Sequence, residues 1–135
     1  MNLQKINQFD ISIISDPHVL SYDLISNTTD FQKEIKIDRK LLVESEALLG
    51  EALSMVSDAG SKFLFLPGDL VKDGEYKSHE IVKKYIIDWK NAKEGRDIFM
   101  IPGNHDINNH KSYDFKKDDF TKNINPKEFY DLYSF

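Results

Sequence analysis

The sequence predicts an α/β fold with a mostly parallel sheet, and two observations carry this prediction. Three short apolar segments, at residues 9–15, 63–66 and 98–101, are rich in the β-branched and aromatic side chains typical of strands. Two longer segments between them, 38–59 and 81–89, repeat apolar residues at helical spacing. The order strand, helix, strand, helix, strand is typical of parallel crossover units.

The three predicted strands all suit the interior of a sheet. The first reads FDISIIS, which is short and β-branched, and the other two are uninterrupted apolar runs. Pro67-Gly68 and Pro102-Gly103 end those two runs. Continuous apolar runs are typical of parallel strands covered on both faces.

The predicted helices follow from stripes of apolar residues and from end signals. The stripe in 38–59 ends at Gly60, a natural helix stop, and the stripe in 81–89 contains Trp89, which we expect in the core. A last helix is predicted from Asn125, Pro126 and Glu128, which match a cap, a first-turn proline and a capping-box acid. The more polar segments 22–37 and 107–123 are predicted to be loops.

Composition limits the function classes. The chain has 135 residues, enough for one ordinary domain, and 40% hydrophobic with 30% charged residues indicates a globular protein. A formal net charge of -5 and the lack of a basic stripe argue against nucleic acid or anionic lipid as the partner. A small phosphate ester stays open as a substrate, because bound metal ions would reverse the local field.

The compartment is not predicted. The sequence contains no cysteine, which excludes disulfides and thiolate metal ligands. No apolar run approaches the length of a membrane span, and residues 1–5 contain no apolar signal-peptide core. We therefore expect either a cytoplasmic protein or, if a leader has been removed, a secreted or cell-surface protein.

Metal-ligating residue types follow each predicted strand. These segments are Asp16-Pro17-His18, Gly68-Asp69 and Gly103-Asn104-His105-Asp106. Because sites in open α/β sheets form beyond the carboxyl ends of the strands, we expect the three segments to meet. Mixed carboxylate, amide and imidazole ligands suit Mn, Fe, Zn, Ni or Co. The sequence therefore predicts a divalent-metal site.

The residue types suggest individual roles. Asp16 and His18 are two residues apart, so a strand-like backbone would point both side chains the same way. Asp69 has two oxygens that can bridge two ions, and Asn104 offers a neutral oxygen. His105 could reach a substrate oxygen, while Asp106 could hold that imidazole in one tautomer and raise its pKa. Two ions about 3.5–4 Å apart would clamp a phosphoryl group.

Taken singly, these segments have ordinary explanations. Asp16 could cap a following element, and Gly-Asp or Gly-Asn after a strand is common loop chemistry. Asp73-Gly74 is predicted to be a turn, and His79 and His110 to be ordinary polar or surface histidines. Only the joint order and strand context favour a metal site.

Together the segments resemble the opening motifs of the calcineurin-like metallophosphoesterase superfamily. The match runs over about residues 11–106, and the Gly103 segment is its most specific part. The run Gly68-Asp69-Leu70-Val71-Lys72-Asp73-Gly74-Glu75 resembles the bacterial cyclic-nucleotide-phosphodiesterase-like branch. The resemblance implies a hydrolase, with phosphodiesterase favoured, in which metal-activated hydroxide attacks the phosphorus of a small phosphate ester.

The same resemblance implies the site residues. Asp16 and His18 would bind the first of two divalent ions, Asp69 would bridge both, and Asn104 would bind the second. His105 would protonate the leaving group, with Asp106 beside it. These assignments match the family motifs position by position.

The sequence departs from the family pattern in its later part. The pattern requires a further His and a Gly-His-x-His segment, and this sequence contains neither. The resemblance thus implies the amino-terminal half of an α/β sandwich, with the second sheet largely missing, and we expect residues 1–135 to form a single truncated domain. Such a chain would hold no ion or one weakly bound ion. The alternative function is therefore a catalytically incomplete fragment or non-enzymatic scaffold, with self-association through the uncovered sheet or the last helix.

Overall fold

The structure, a computed structural model, describes residues 10–135 and contains the predicted parallel sheet. Strands β1 (Ile11–Ile13), β2 (Phe63–Leu66) and β3 (Asp97–Met100) are parallel and lie side by side in the order β1-β2-β3. The first residue of the predicted first strand, Phe9, lies outside the described residues. The predicted α/β fold class is confirmed.

Four helices accompany the sheet within residues 10–135. They are α1 (Thr29–Ile37), α2 (Ser45–Asp58), α3 (Tyr76–Asn91) and α4 (Pro126–Tyr133), preceded by a 3-10 turn at Tyr22–Leu24. In the sequence, α2 lies between β1 and β2, and α3 lies between β2 and β3. The two helices pack against each other. Helix α4 has the predicted capping box between Asn125 and Glu128. Within residues 10–135, no helix combines the length and apolarity that crossing a membrane requires.

The two predicted loops contain regular structure. Residues 22–37 are not a loop, because α1 begins there with the Phe31 N–H donating to the Thr28 hydroxyl. The helix is held by a second small core, where the Phe31 and Phe115 rings lie 5.0 Å apart. Residues 107–123 contain a short hairpin, β4 (Tyr113–Asp114) and β5 (Asp119–Phe120). Phe115 is distant in sequence, so local periodicity could not reveal this packing.

The main core lies on one face of the sheet. Leu64 and Leu66 point into it from β2, together with Val82, Ile86 and Trp89 of α3. The opposite face is exposed within residues 10–135, in agreement with the expectation that one face of the sheet lacks a partner. Its exposed apolar residues are Ile11, Ile13, Phe65 and Phe99.

Helix α4 differs from the uncovered sheet face. We expected its apolar face to lack a partner, but Phe129 and Tyr133 are buried in the main core. Only Tyr130 is strongly exposed among the aromatic residues of this helix. The helix therefore closes one end of the core.

Candidate metal centre

The first two motifs are held side by side by backbone hydrogen bonds beyond the strand ends. The Asp16 N–H donates to the Gly68 carbonyl at 3.3 Å, and the His18 N–H donates to the Asp69 carbonyl at 3.1 Å. The next bond follows the same pattern, from the Val19 N–H to the Leu70 carbonyl at 2.9 Å. The two loops thus continue the pairing of β1 and β2 and carry their polar side chains to the same place.

Glycines bring the second and third motifs into direct contact. A Cβ at Gly68 would lie 2.6 Å from the backbone nitrogen of Gly103. A Cβ at Gly103 would lie 2.5 Å from the backbone nitrogen of Asp69 and closer still to its carboxylate. No side chain fits at either distance, so these residues must be glycine for the loops after β2 and β3 to meet.

Three of the predicted ligands have unusual backbone geometry. The φ angles of Asp16, His18 and Asp69 are 56°, 43° and 52°, in the left-handed region that non-glycine residues rarely adopt. The strand-like backbone expected for Asp16 and His18 is therefore wrong, although their side chains do face each other. Such conformations cost free energy and concentrate at functional sites.

Side-chain donors converge where these loops meet. His18 Nε2 lies 3.9 Å from Asp16 Oδ1 and 3.9 Å from Asp69 Oδ2, too far for hydrogen bonds. His18, Asp69 and His105 each place a ligand atom within 4.8 Å of the others. Ligand atoms about 2.1 Å from one ion are about 3–4 Å apart, so the spacing around His18 suits a shared ion.

The His18 ring is suited to binding a metal rather than a proton. Burial lowers its pKa, and the positive charges of Lys40 and His105 lower it further, against Asp69 and the Val71 backbone, which raise it. The neutral form is the one that binds metal. Its buried Nδ1 makes no hydrogen bond of normal geometry to any described residue, so the protein does not fix this ring by a strong second contact.

Asp106 connects the second and third motifs. Its Oδ1 accepts the N–H groups of Leu70 at 2.7 Å and Val71 at 3.0 Å, and its Oδ2 accepts the Gly103 N–H at 2.7 Å. Burial raises its pKa to about 6, while these three donors favour the ionised form. The expectation that Asp106 holds the His105 imidazole is wrong, because both of its oxygens face backbone donors.

Asp73 makes the contact that was expected of Asp106. His105 Nδ1 lies 2.6 Å from the Lys72 carbonyl oxygen and 3.1 Å from Asp73 Oδ1. A carbonyl can only accept, so Nδ1 carries the proton and donates it, which leaves Nε2 for another partner. The His105 N–H also donates to Asp69 Oδ1 at 3.0 Å. His105 is thus held on two sides.

A buried ion network lies behind Asp73. Lys72 Nζ is 2.5 Å from Asp73 Oδ2 and 2.8 Å from Glu34 Oε1 of α1. Burial alone would raise the pKa of Asp73, but the hydrogen bond and charge of Lys72 lower it below its ordinary value. Sequence reasoning assigned no role to Lys72 or Glu34, because α1 was not predicted.

The sequence model of the calcineurin-like phosphoesterase family matches residues 9–135. The chain belongs to this family. A search of curated proteins finds no match. The predicted superfamily is thereby confirmed, and with it the general class of metal-dependent phosphoester hydrolases.

The remaining predicted site residues occupy less constrained positions. The Asp16 side chain is 59% exposed, and its one hydrogen bond comes from the neighbouring Ser15 hydroxyl. Asn104 lies in an exposed turn, and its amide makes no hydrogen bond to the rest of the described chain. It is therefore free to act as a neutral ligand, and its role stays a prediction.

The other two histidines lie outside the cluster. His110 is exposed in the loop after the third motif, as predicted. His79 is completely buried, which the prediction of an ordinary polar or surface residue did not foresee. Its Nε2 donates to the Asp106 carbonyl at 2.9 Å, and its Nδ1 accepts from the Tyr133 hydroxyl at 2.9 Å. His79 thus ties α3 and α4 to the third motif.

Proposed function

We propose that this chain belongs to a binuclear metal-dependent phosphodiesterase that acts on a small phosphate diester. The observation that carries the proposal is the convergence of His18, Asp69 and His105, with Asp16 beside them, at the carboxyl ends of parallel strands. The run from Gly68 to Glu75 supports the cyclic-nucleotide-phosphodiesterase-like branch. The net charge of -5 supports a small substrate over nucleic acid.

The donor set fits two divalent ions that share one carboxylate. Asp16, His18 and Asp69 would hold the first, and Asp69 with Asn104 would contribute to the second. Mn, Fe, Zn, Ni and Co all accept such mixed nitrogen and oxygen ligands. When bound, the ions supply a Lewis acid for the phosphoryl oxygens and lower the pKa of water.

His105 is proposed as the general acid. Because Nδ1 donates to the Lys72 carbonyl, Nε2 is the nitrogen that can give a proton to the leaving oxygen. Asp73 Oδ1 lies 3.1 Å from the same Nδ1 and keeps the ring in this orientation. Asp106 supports the same step indirectly, since it holds the loop that carries His105.

The test is Mn²⁺-dependent hydrolysis of bis-p-nitrophenyl phosphate by the 135-residue chain. Asp69→Asn is expected to reduce Mn²⁺ affinity and any turnover by at least about 100-fold, because even residues behind metal ligands contribute 10–100-fold. Asp58→Asn, an equal charge change in an exposed part of α2, is the control. Equal Mn²⁺ affinity of the two variants would rule out the site.

The second candidate is a catalytically incomplete chain that retains a partial metal site. The supporting observation is that only His18 and His105, of the four histidines in the sequence, lie at the cluster. Calorimetric titration with Mn²⁺ separates the candidates. Two tightly bound ions per chain support the enzyme, whereas one weak ion or none supports the incomplete chain.

We also propose that the uncovered face of the sheet binds a second copy of this chain. An apolar groove of about 720 Å³ runs between β3 and α4, and none of the described residues that line it is charged. Acidic chains repel each other, so an uncharged face is where two copies can meet. Light scattering should show a dimer that Phe99→Lys converts to a monomer, and a monomeric wild-type chain would exclude this partner.

A further inference from the structure

A smaller cavity opens directly beside the metal-binding residues. It has a volume of about 300 Å³ and lies between the loop after β1 and the amino-terminal half of α2. Its lining is formed by Ile14, Asp16, Pro17, His18, Lys40, Leu41, Ser45, Leu48, Leu49 and Ala52. The cavity therefore has a polar end at the proposed metal ligands and an apolar wall.

Lys40 is the one cation among the described residues that line this cavity. Its ammonium group makes no hydrogen bond, ion pair or ring contact with any other side chain of residues 10–135. It nevertheless lies close enough to the site for its charge to lower the pKa of His18 and of Asp73. A cation that faces the site without a partner is suited to an anionic ligand.

The apolar wall is unusually open to solvent. Leu41 and Leu48 line the cavity and are 62% and 49% exposed. Ala52 continues the wall one turn further along α2. Large exposed apolar side chains grouped beside polar residues are typical of ligand sites, where a small number of polar groups orients an apolar ligand.

We propose that this cavity binds the apolar ester group of a phosphate diester while Lys40 pairs with its anionic phosphate. The proposal rests on the proposed function and names its substrate class: a singly charged diester with an aryl or similar apolar substituent. Lys40 and Leu48 would then determine specificity, and neither is a metal ligand. A diester with two small substituents would leave the wall exposed and bind more weakly.

Binding of inert anions tests this without requiring turnover. The full chain, labelled with ¹⁵N, is titrated by NMR with diphenyl phosphate and with dimethyl phosphate, first without metal and then with Zn²⁺. Diphenyl phosphate should bind at least about tenfold more tightly, because each phenyl ring removes more apolar surface from water than a methyl group. Its largest shifts should fall on Lys40, Leu48 and Ala52.

Two matched pairs of variants identify the contacts. Lys40→Gln should weaken diphenyl phosphate binding about tenfold, while Lys36→Gln, the same charge change at an exposed position on α1, should not. Leu48→Ser should remove most of the preference for diphenyl over dimethyl phosphate. Met55→Ser, at an exposed apolar position of α2 outside the cavity, should leave the preference unchanged.

The outcomes separate this proposal from the proposed function. Equal binding of the two anions, equal effects of the two lysine variants, or no binding at all would overturn the cavity assignment. If diphenyl phosphate binds as described but hydrolysis is absent or independent of Asp69, the cavity assignment stands and the proposed catalytic function fails.

Discussion

The two sides of the metal site differ in how firmly the protein holds them. On the anchored side, Asp69 and His105 are 18% and 28% exposed, and both take part in hydrogen bonds to the opposing loop. On the open side, Asp16 and Asn104 are exposed, and no distant residue of the described chain orients either one. The anchored side is prepared for its ligands by the fold, whereas the open side must become ordered when an ion binds.

This difference arises from the residues behind each side. Asp73 and Lys72 stand behind His105, and Asp106 and Gly103 bring its loop against Asp69. No comparable network was found behind Asp16 in the part of the chain that the structure describes. Preorganisation therefore requires partners from elsewhere in the sequence, and only one side has them.

Removing Lys72 should disturb the anchored side most. Lys72→Met would leave Asp73 as a buried carboxylate without its cation, which we expect to lower the free energy of unfolding by about 3–4 kcal/mol. Urea unfolding measures this. Lys33→Met, which removes an exposed pair with Asp30, should leave the midpoint unchanged. Similar effects of both changes would mean that the network does not support the site.

The pH dependence of stability tests whether His79, which supports the third motif, is held neutral in the folded protein. Burial lowers its folded-state pKa from 6.5 to about 4, so the unfolded chain takes up a proton first as the pH falls. Stability from this group is complete above pH 6.5 and should fall by about 2–3 kcal/mol by pH 4. The measurement is the difference in unfolding free energy between wild type and His79→Gln across that range.

Two carboxyl groups near His79 act in the opposite direction. Burial raises the pKa of Glu75 to about 7 and that of Asp106 to about 6, so both favour folding as the pH falls. The wild type and the His79→Gln variant both contain these two carboxyl groups. Their contribution therefore cancels in the difference in unfolding free energy. A difference that does not depend on pH would show that His79 is not held neutral.

Gly103→Ala tests the close approach of the two loops. The new Cβ would overlap Asp69, and we expect a loss of about 2 kcal/mol in stability together with weaker Mn²⁺ binding. Gly95→Ala is the control, because its Cβ meets open space, so that any loss it causes comes from the positive φ of 80° at that position alone. Normal metal binding by the Gly103 variant would contradict the proposed geometry.

The smallest effect is expected on the open side. Asp16→Asn should reduce Mn²⁺ affinity by about tenfold, which is less than the effect of Asp69→Asn. The reason is that Asp16 is exposed, so water competes with the ion for its carboxylate. Calorimetric titration compares the two variants directly. If Asp16→Asn is as damaging as Asp69→Asn, the two sides contribute equally and the distinction between them is lost.

Much of the fold could be predicted from local patterns. Strands β2 and β3 are each encoded within a few residues. The same holds for the helical stripe around Trp89 and for the helix cap at Asn125. Helix α1 could not be predicted, because its stability depends on Phe115, far away in sequence. The resemblance implied that one sheet face is uncovered, but the apolar runs by themselves do not reveal which face it is.

The sequence by itself determined where the metal ligands lie along the chain and which chemistry their types allow. The motifs sit at the ends of predictable strands, and the parallel order of those strands brings Asp16, Asp69 and His105 to one edge. Only the tertiary structure decided which carboxylate contacts which group. Asp106 accepts hydrogen bonds from backbone N–H groups, and Asp73 contacts the His105 ring. Hydrogen-bond partners depend on positions in space, which residue spacing does not specify.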